Sequence, residues 1–180
     1  MKGTLNGEEW MAVLQRLADA LGKDGPPVRL CLIGSAACLF GGMDGRTSRD
    51  LDIWKPASDY DRGELARAAE AAGLLFDPRS SLEPDRPYLR LVDPIPAEFG
   101  PFEPVFIDRI GRLALYRPPI ENLVAAKLIR CEPRDLSDIR FLISRHCPDL
   151  AAIRRLVENM SPRSRERASE NLIYLSVIEP

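Results

Sequence analysis

Histidine is almost missing from this chain: His146 is the only one in 180 residues. The four cysteines, Cys31, Cys38, Cys131 and Cys147, form no Cys-x-x-Cys pair. Both shortages argue against a zinc site of the usual spacing. His146 and Cys147 are neighbours in sequence, and neighbours rarely face each other, so they do not read as a thiol-protease pair. Cys31 and Cys38 sit in apolar runs and read as buried thiols. No segment approaches the roughly 20 apolar residues of a membrane span. The first residues carry no apolar leader and no cleavage signal, so a cytoplasmic protein with reduced thiols is expected. The formal net charge is −2, so any basic surface for nucleic acid must be local. Two common phosphate motifs are also absent, Gly-x-Gly-x-x-Gly and Gly-x-x-x-x-Gly-Lys-Ser/Thr. No internal repeat is visible.

What remains is an ordinary globular composition, 45% hydrophobic and 29% charged. The length fits one domain, or one domain with a helical appendage. A chain of this mass buries roughly 70% of its unfolded surface, enough for a core without staples.

The informative stretch runs from residue 28 to residue 55. Residues 28–33 (VRLCLI) read as a strand, and Gly34-Ser35 breaks it. Small apolar residues then suit a short helix, Ala36 to Phe40. A glycine-rich loop leads to a second strand, Asp50-Leu51-Asp52-Ile53-Trp54. Strand side chains alternate between faces, so Asp50 and Asp52 point one way while Leu51 and Ile53 point to the core. Two carboxylates on one face repel unless a positive charge sits between them. A hard divalent cation such as Mg²⁺ does this and keeps open positions for phosphate oxygens. A Gly-Ser turn ahead of a helix offers N–H groups and a hydroxyl to a phosphate. The alternative is a strand ending in a solvated acidic face, with Gly34-Ser35 as a plain turn and N-cap.

The flanking chain alternates helices and strands. Asn6 caps a helix whose stripe is Trp10, Val13, Leu14, Leu17 and Leu21, and Gly22 ends it. Ser58 or Asp59 caps a second helix through Leu65, Ala68, Ala69 and Ala72. Residues 74–76, 88–92, 105–110 and 112–116 read as strands, the last two as a hairpin about Gly111. Proline-rich loops lie at 77–87 and 94–104. From Pro118 onward the pattern is helical, with starts at Pro148 and Pro162. Arg154, Arg155, Arg163, Arg165 and Arg167 cluster there among glutamates. They are the best local site for an RNA backbone, with little aromatic interleaving for base reading.

Gly34-Ser35 followed by Arg46-Thr47-Ser48-Arg49-Asp50-Leu51-Asp52-Ile53 resembles the signature of the DNA polymerase beta-like nucleotidyltransferase superfamily. The form is closest to the small bacterial branch near the AbiEii-type toxins of toxin–antitoxin and abortive-infection systems. The spacer between Ser35 and Asp50 is long, and its excess falls in the loop 41–45. A second stretch, Pro119-x-Glu121-Asn122-Leu123-Val124-Ala125-Ala126-Lys127, then Arg134-Asp135-Leu136-x-Asp138-Ile139, resembles the segment after the catalytic sheet in that branch.

The resemblance implies an α/β (α+β) fold: a small mixed sheet with flanking helices over residues 1–118 and a helical C-terminal region over 119–180. It implies a metal-dependent nucleotidyltransferase with Mg²⁺ or Mn²⁺ as cofactor and an NTP as substrate. RNA, a protein or a small molecule is the expected acceptor. A cognate antitoxin or a second copy is the expected partner, with no membrane. Asp50 and Asp52 become metal ligands and catalytic residues. Asp108, inside an apolar strand, is the first choice for a third carboxylate, and Asp93 the second. Nucleotide binding falls to Gly34, Ser35, Arg46, Thr47, Lys127 and Asp138, with Asp135 the alternative to Asp138. Read without the resemblance, Lys127 snorkels, Asp135 faces a helix dipole and Asp138 pairs with Arg134. The rival reading is a nucleotidyltransferase-fold protein without turnover that serves as a binding partner.

Overall fold

The computed structural model describes residues 3–78, 86–94 and 98–178. The chain divides into two compact units. The first is residues 1–93 with 104–117, and the second is residues 94–103 with 118–180. The fold is α+β, with a mixed sheet and flanking helices in the first unit and helices in the second.

In the sheet unit, helix α1 (Gly7–Leu21) starts at a capping box. The Asn6 side chain accepts from Glu9 N at 2.9 Å, and Asn6 N donates to Glu9 Oε2 at 2.8 Å. This satisfies two N–H groups that a helix start would otherwise leave unpaired. The α1 stripe Trp10, Leu14, Leu17 and Leu21 is buried as its spacing requires. Strand β1 (Val28–Ile33) leads through the short helix α2 (Ala36–Phe40) to β2 (Asp50–Trp54). After a 3-10 turn (Lys55–Ala57) come α3 (Arg62–Ala71), β3 (Leu75–Phe76), β4 (Tyr88–Val92), β5 (Val105–Ile110) and β6 (Leu113–Arg117). The strand order is β3-β4-β2-β1-β6-β5. β1 runs antiparallel to β2 and parallel to β6, and β2 runs parallel to β4.

The sheet's core face is set by alternation. Leu30 and Leu32, Leu51 and Ile53, Leu89 and Leu91, and Leu113 and Leu115 pack with α1 and with Leu65, Ala68 and Ala69 of α3. Each such side chain, fully buried, contributes up to roughly 1.5–3 kcal/mol. The opposite parity carries Asp50, Asp52, Tyr88 and Arg90.

The cap of α3 differs from expectation. It is Asp61, whose side chain accepts from Glu64 N at 2.6 Å, rather than Ser58 or Asp59. Ser58 is used elsewhere: its Oγ accepts from Cys31 N at 2.9 Å and donates to Trp54 O at 2.7 Å. Asp59 pairs with Arg29 by backbone hydrogen bonds. Most of the proline-rich loop expected at 77–87 lies outside the described residues, as do residues 95–97 of the second loop.

The helical unit holds α4 (Ile120–Arg130), α5 (Pro133–His146), α6 (Leu150–Glu158), α7 (Pro162–Asn171) and α8 (Ile173–Ile178). α4 packs against α5, α6 and α7. The described part of 94–103 is tied to these helices. Asn122 Nδ2 donates to Phe99 O at 2.5 Å, and Glu98 accepts from Ser161 N at 2.8 Å and Ser164 Oγ at 3.0 Å. Among the described residues, no helix is long and apolar enough to cross a membrane.

Candidate active site

Strand β2 presents Asp50 and Asp52 on one face, with side chains 21% and 17% exposed. The segment before it is anchored from the N-terminal side. Leu5 and Ser48 pair by backbone hydrogen bonds of 2.8 and 2.9 Å, and Trp10 Nε1 donates to Ser48 O at 3.1 Å. That anchoring sets Ser48, whose Oγ donates to Asp50 Oδ1 at 2.9 Å.

Gly34 ends β1 beside Asp52. Its φ is +68°, and an added Cβ would lie 2.9 Å from Asp52 Oδ2. Both the left-handed backbone and the close approach call for glycine here. Ser35 opens α2 with a helical backbone, and its hydroxyl makes no capping hydrogen bond.

The neighbour of β2 on its other side is β4, in register Asp50↔Tyr88 and Asp52↔Arg90. Arg90 Nε donates to Asp52 Oδ1 at 2.6 Å, and a terminal guanidinium nitrogen lies 3.5 Å from Asp50 Oδ2. One guanidinium therefore spans both carboxylates. The hydrogen bond to Asp52 pushes the Arg90 pKa further up, so the group stays charged. Tyr88 is hydrogen-bonded to Asp50; burial, then the nearby Asp50 charge, raises its hydroxyl above the usual phenol range. Cys31, on the neighbouring strand, is an inert thiol whose pKa burial pushes up to about 12.

The expected third carboxylate is not beside this pair. Asp108 lies on β5, at the far edge of the sheet, with β1 and β6 between β5 and β2. Three strand spacings put it roughly 14 Å away. It is exposed, follows a bulge, and accepts from Arg109 N at 2.7 Å. The physical reason is connectivity: β5 hairpins onto β6, so the place next to β2 goes to β4. Asp93 lies past the end of β4 and pairs with Lys55 Nζ at 2.5 Å. Among the described residues, no group of three or more His, Cys, Asp and Glu side chains could share a metal ion. Two carboxylates still fit Mg²⁺, which is commonly held by one or two carboxylates with water and substrate phosphates filling the rest.

Arg46 and Thr47 stand in the loop before β2, half-buried, and an Arg46 terminal nitrogen donates to Thr47 O at 3.3 Å. Arg46 also lines a cleft of about 800 Å³, together with Asp108 and the start of α1.

Lys127, Asp135 and Asp138 meet inside the helical unit, all buried. Lys127 Nζ lies 2.7 Å from Asp138 Oδ2 and 3.3 Å from Asp135 Oδ1. Arg130 Nε adds a 2.8 Å bond to Asp135 Oδ2. Burial alone would raise the Asp135 carboxyl, but the Arg130 hydrogen bond and the Lys127 charge outweigh it and hold it below the usual range. Asp135 also accepts from Glu132 N in the cap of α5, as an N-terminal helix acid should. Asp138 pairs with Lys127, from the preceding helix. Lys127 does not snorkel; its ammonium is enclosed. The five clustered arginines are exposed on α6 and α7, and Arg155 pairs with Asp149 at 3.3 Å.

Sequence reasoning missed Ser48, Tyr88 and Arg90. A signal existed: Tyr88 and Arg90 alternate with Leu89 and Leu91 as Asp50 and Asp52 alternate with Leu51 and Ile53. Two half-buried strands with complementary polar faces are natural neighbours. Comparison of the chain with protein-family models, with curated proteins and with solved structures finds no match, so any assignment rests on these residues and their geometry.

Proposed function

We propose that the sheet unit is a metal-dependent nucleotidyltransferase centred on Asp50 and Asp52. The observation that carries this reading is the fit of Gly34 against Asp52. Gly34, at positive φ, lies against Asp52; a serine follows it at the start of α2, and Asp50 shares the strand face of Asp52. Asp50 and Asp52 would hold Mg²⁺ or Mn²⁺, which supplies charge neutralisation at the phosphates when bound. Gly34 keeps the backbone close enough for a polyphosphate to share the site, and Ser35 offers its hydroxyl. In the reaction an acceptor hydroxyl oxygen bonds to the α-phosphorus of an NTP. The bond from that phosphorus to the β-bridging oxygen breaks, pyrophosphate leaves, and the hydroxyl proton passes to water. RNA, a protein or a small molecule would be the acceptor, with a toxin–antitoxin or phage-defence system as the setting.

One observation favours a second reading, a nucleotidyltransferase-fold partner protein without turnover: Arg90 already neutralises part of the carboxylate charge. The two separate by label transfer from each α-³²P NTP, with Mg²⁺ or Mn²⁺, onto a cell extract. Transfer by wild type that Asp50→Ala and Asp52→Ala abolish supports the enzyme. No transfer, with a specific protein still captured, supports the partner module.

A further inference from the structure

We infer that Arg90 makes metal binding at Asp50 and Asp52 conditional on a polyphosphate; the inference rests on the reading of that pair as a metal site. Arg90 holds the position on the adjacent parallel strand, directly across from Asp52, from which a side chain reaches both carboxylates. A bare divalent cation must compete with a guanidinium that is always charged and already hydrogen-bonded at 2.6 Å. A cation arriving with a triphosphate brings an alternative partner for that guanidinium. Arginine pairs with phosphate oxygens in the same forked geometry it uses for carboxylates. Arg90 is half exposed, at 51%, so it has room to turn from the aspartates toward solvent and a bound phosphate. The exchange keeps the charge balanced: the cation takes the carboxylates and the guanidinium takes the phosphates. Arg90 is thus a positioning and specificity residue that favours the metal–nucleotide complex over the free ion.

The test is Mn²⁺ binding to the full chain, followed by electron paramagnetic resonance, with and without a non-hydrolysable NTP analogue. Without nucleotide, Arg90→Gln should bind Mn²⁺ about tenfold or more tightly than wild type, because a unit charge a few ångströms away is removed. Arg90→Lys, which keeps the charge, should stay close to wild type, and Asp52→Asn should cancel the gain in Arg90→Gln. The analogue should tighten Mn²⁺ binding more in wild type than in Arg90→Gln, as linkage requires. Equal Mn²⁺ affinity in wild type and Arg90→Gln without nucleotide overturns the inference. The readout needs no turnover, so its failure is separate from failure of the proposed activity, which label transfer reports.

Discussion

The carboxylate pair of the sheet and that of the helical unit have the same composition and different surroundings. Each is two aspartates bridged by a basic side chain. On the sheet, Asp50, Asp52 and Arg90 keep 21%, 17% and 51% of their side-chain surface in contact with solvent. In the helical unit, Asp135, Asp138 and Lys127 keep 4%, 1% and 9%. Water near the first cluster screens the ions and lets partners be exchanged at small cost. In the second cluster the lysine and both carboxylates are buried, and only Arg130, which also bonds Asp135, is exposed, so the buried ions depend on one another. The comparison teaches which aspartates are available for chemistry. Asp50 and Asp52 can trade their cation for another, whereas Asp135 and Asp138 are held by a lysine that has nowhere else to go.

Removing the cation from each cluster breaks or sharpens this contrast most directly. Lys127→Ala leaves two buried carboxylates without their lysine and should destabilise the chain by roughly 3–5 kcal/mol. Arg90→Gln should change stability by no more than about 1 kcal/mol, because a half-exposed pair is screened. Urea unfolding of the full chain measures both. Similar losses in the two variants would mean that exposure does not separate the clusters.

Gly34→Ala comes next in size. Holding a non-glycine residue at φ +68° costs roughly 1–2 kcal/mol. The new methyl would also push Asp52 Oδ2 from its 2.9 Å approach. Nucleotidyl transfer should fall toward the level of Asp52→Ala, although the carboxylate is still present. Gly42→Ala also substitutes a glycine of positive φ, but nothing lies within 4 Å of an added Cβ there. It should carry the backbone penalty and spare transfer. If both variants retain full transfer, the contact between Gly34 and Asp52 has no role in the site.

Much of the fold was legible because period-two and period-3.6 patterns report burial directly. The strand Val28–Ile33, the pair Asp50 and Asp52, and the cap at Asn6 all follow from local rules. Strand order was not legible. Asp108 looked like a neighbour of Asp52 because it interrupts an apolar strand, yet alternation says nothing about which strand lies beside which. The long connection from β2 through α3 returns the chain to β2 as β4, while β5 folds onto β6. Arg90 became visible only once that pairing was known. The burial of Lys127 was hidden for a similar reason: its partners stand 8 and 11 residues away on another helix, beyond the reach of the i,i+4 rule.

The smallest expected effects come from pH, and they should also divide between the two units. In the helical unit three carboxyls lie below their usual range. Asp135 is lowered despite burial, by Arg130 and Lys127. Glu98 is lowered despite burial, by hydrogen bonds from Ser161 and Ser164. Asp149 is lowered first by the Ala152 backbone. A depressed folded pKa stabilises above the unfolded value, near 4 for these acids, and the gain is lost as pH falls through the folded value. In the sheet unit, burial raises Tyr60 and Tyr88. A raised folded pKa acts in the opposite sense. The stability it gives is complete below the unfolded phenol value, near 10, and is lost as pH rises through the folded one. Both tryptophans, Trp10 and Trp54, are buried side chains of the sheet unit, so their fluorescence follows the packing around those residues. Acidification below about pH 4 should reduce helical circular dichroism before tryptophan fluorescence changes, and alkali above about pH 10 should move the fluorescence first. Asp135→Asn should weaken the acid step and leave the alkaline one in place. Coincident acid transitions in the two signals, in wild type and in Asp135→Asn alike, would show that the lowered carboxyls of the helical unit do not set its acid limit.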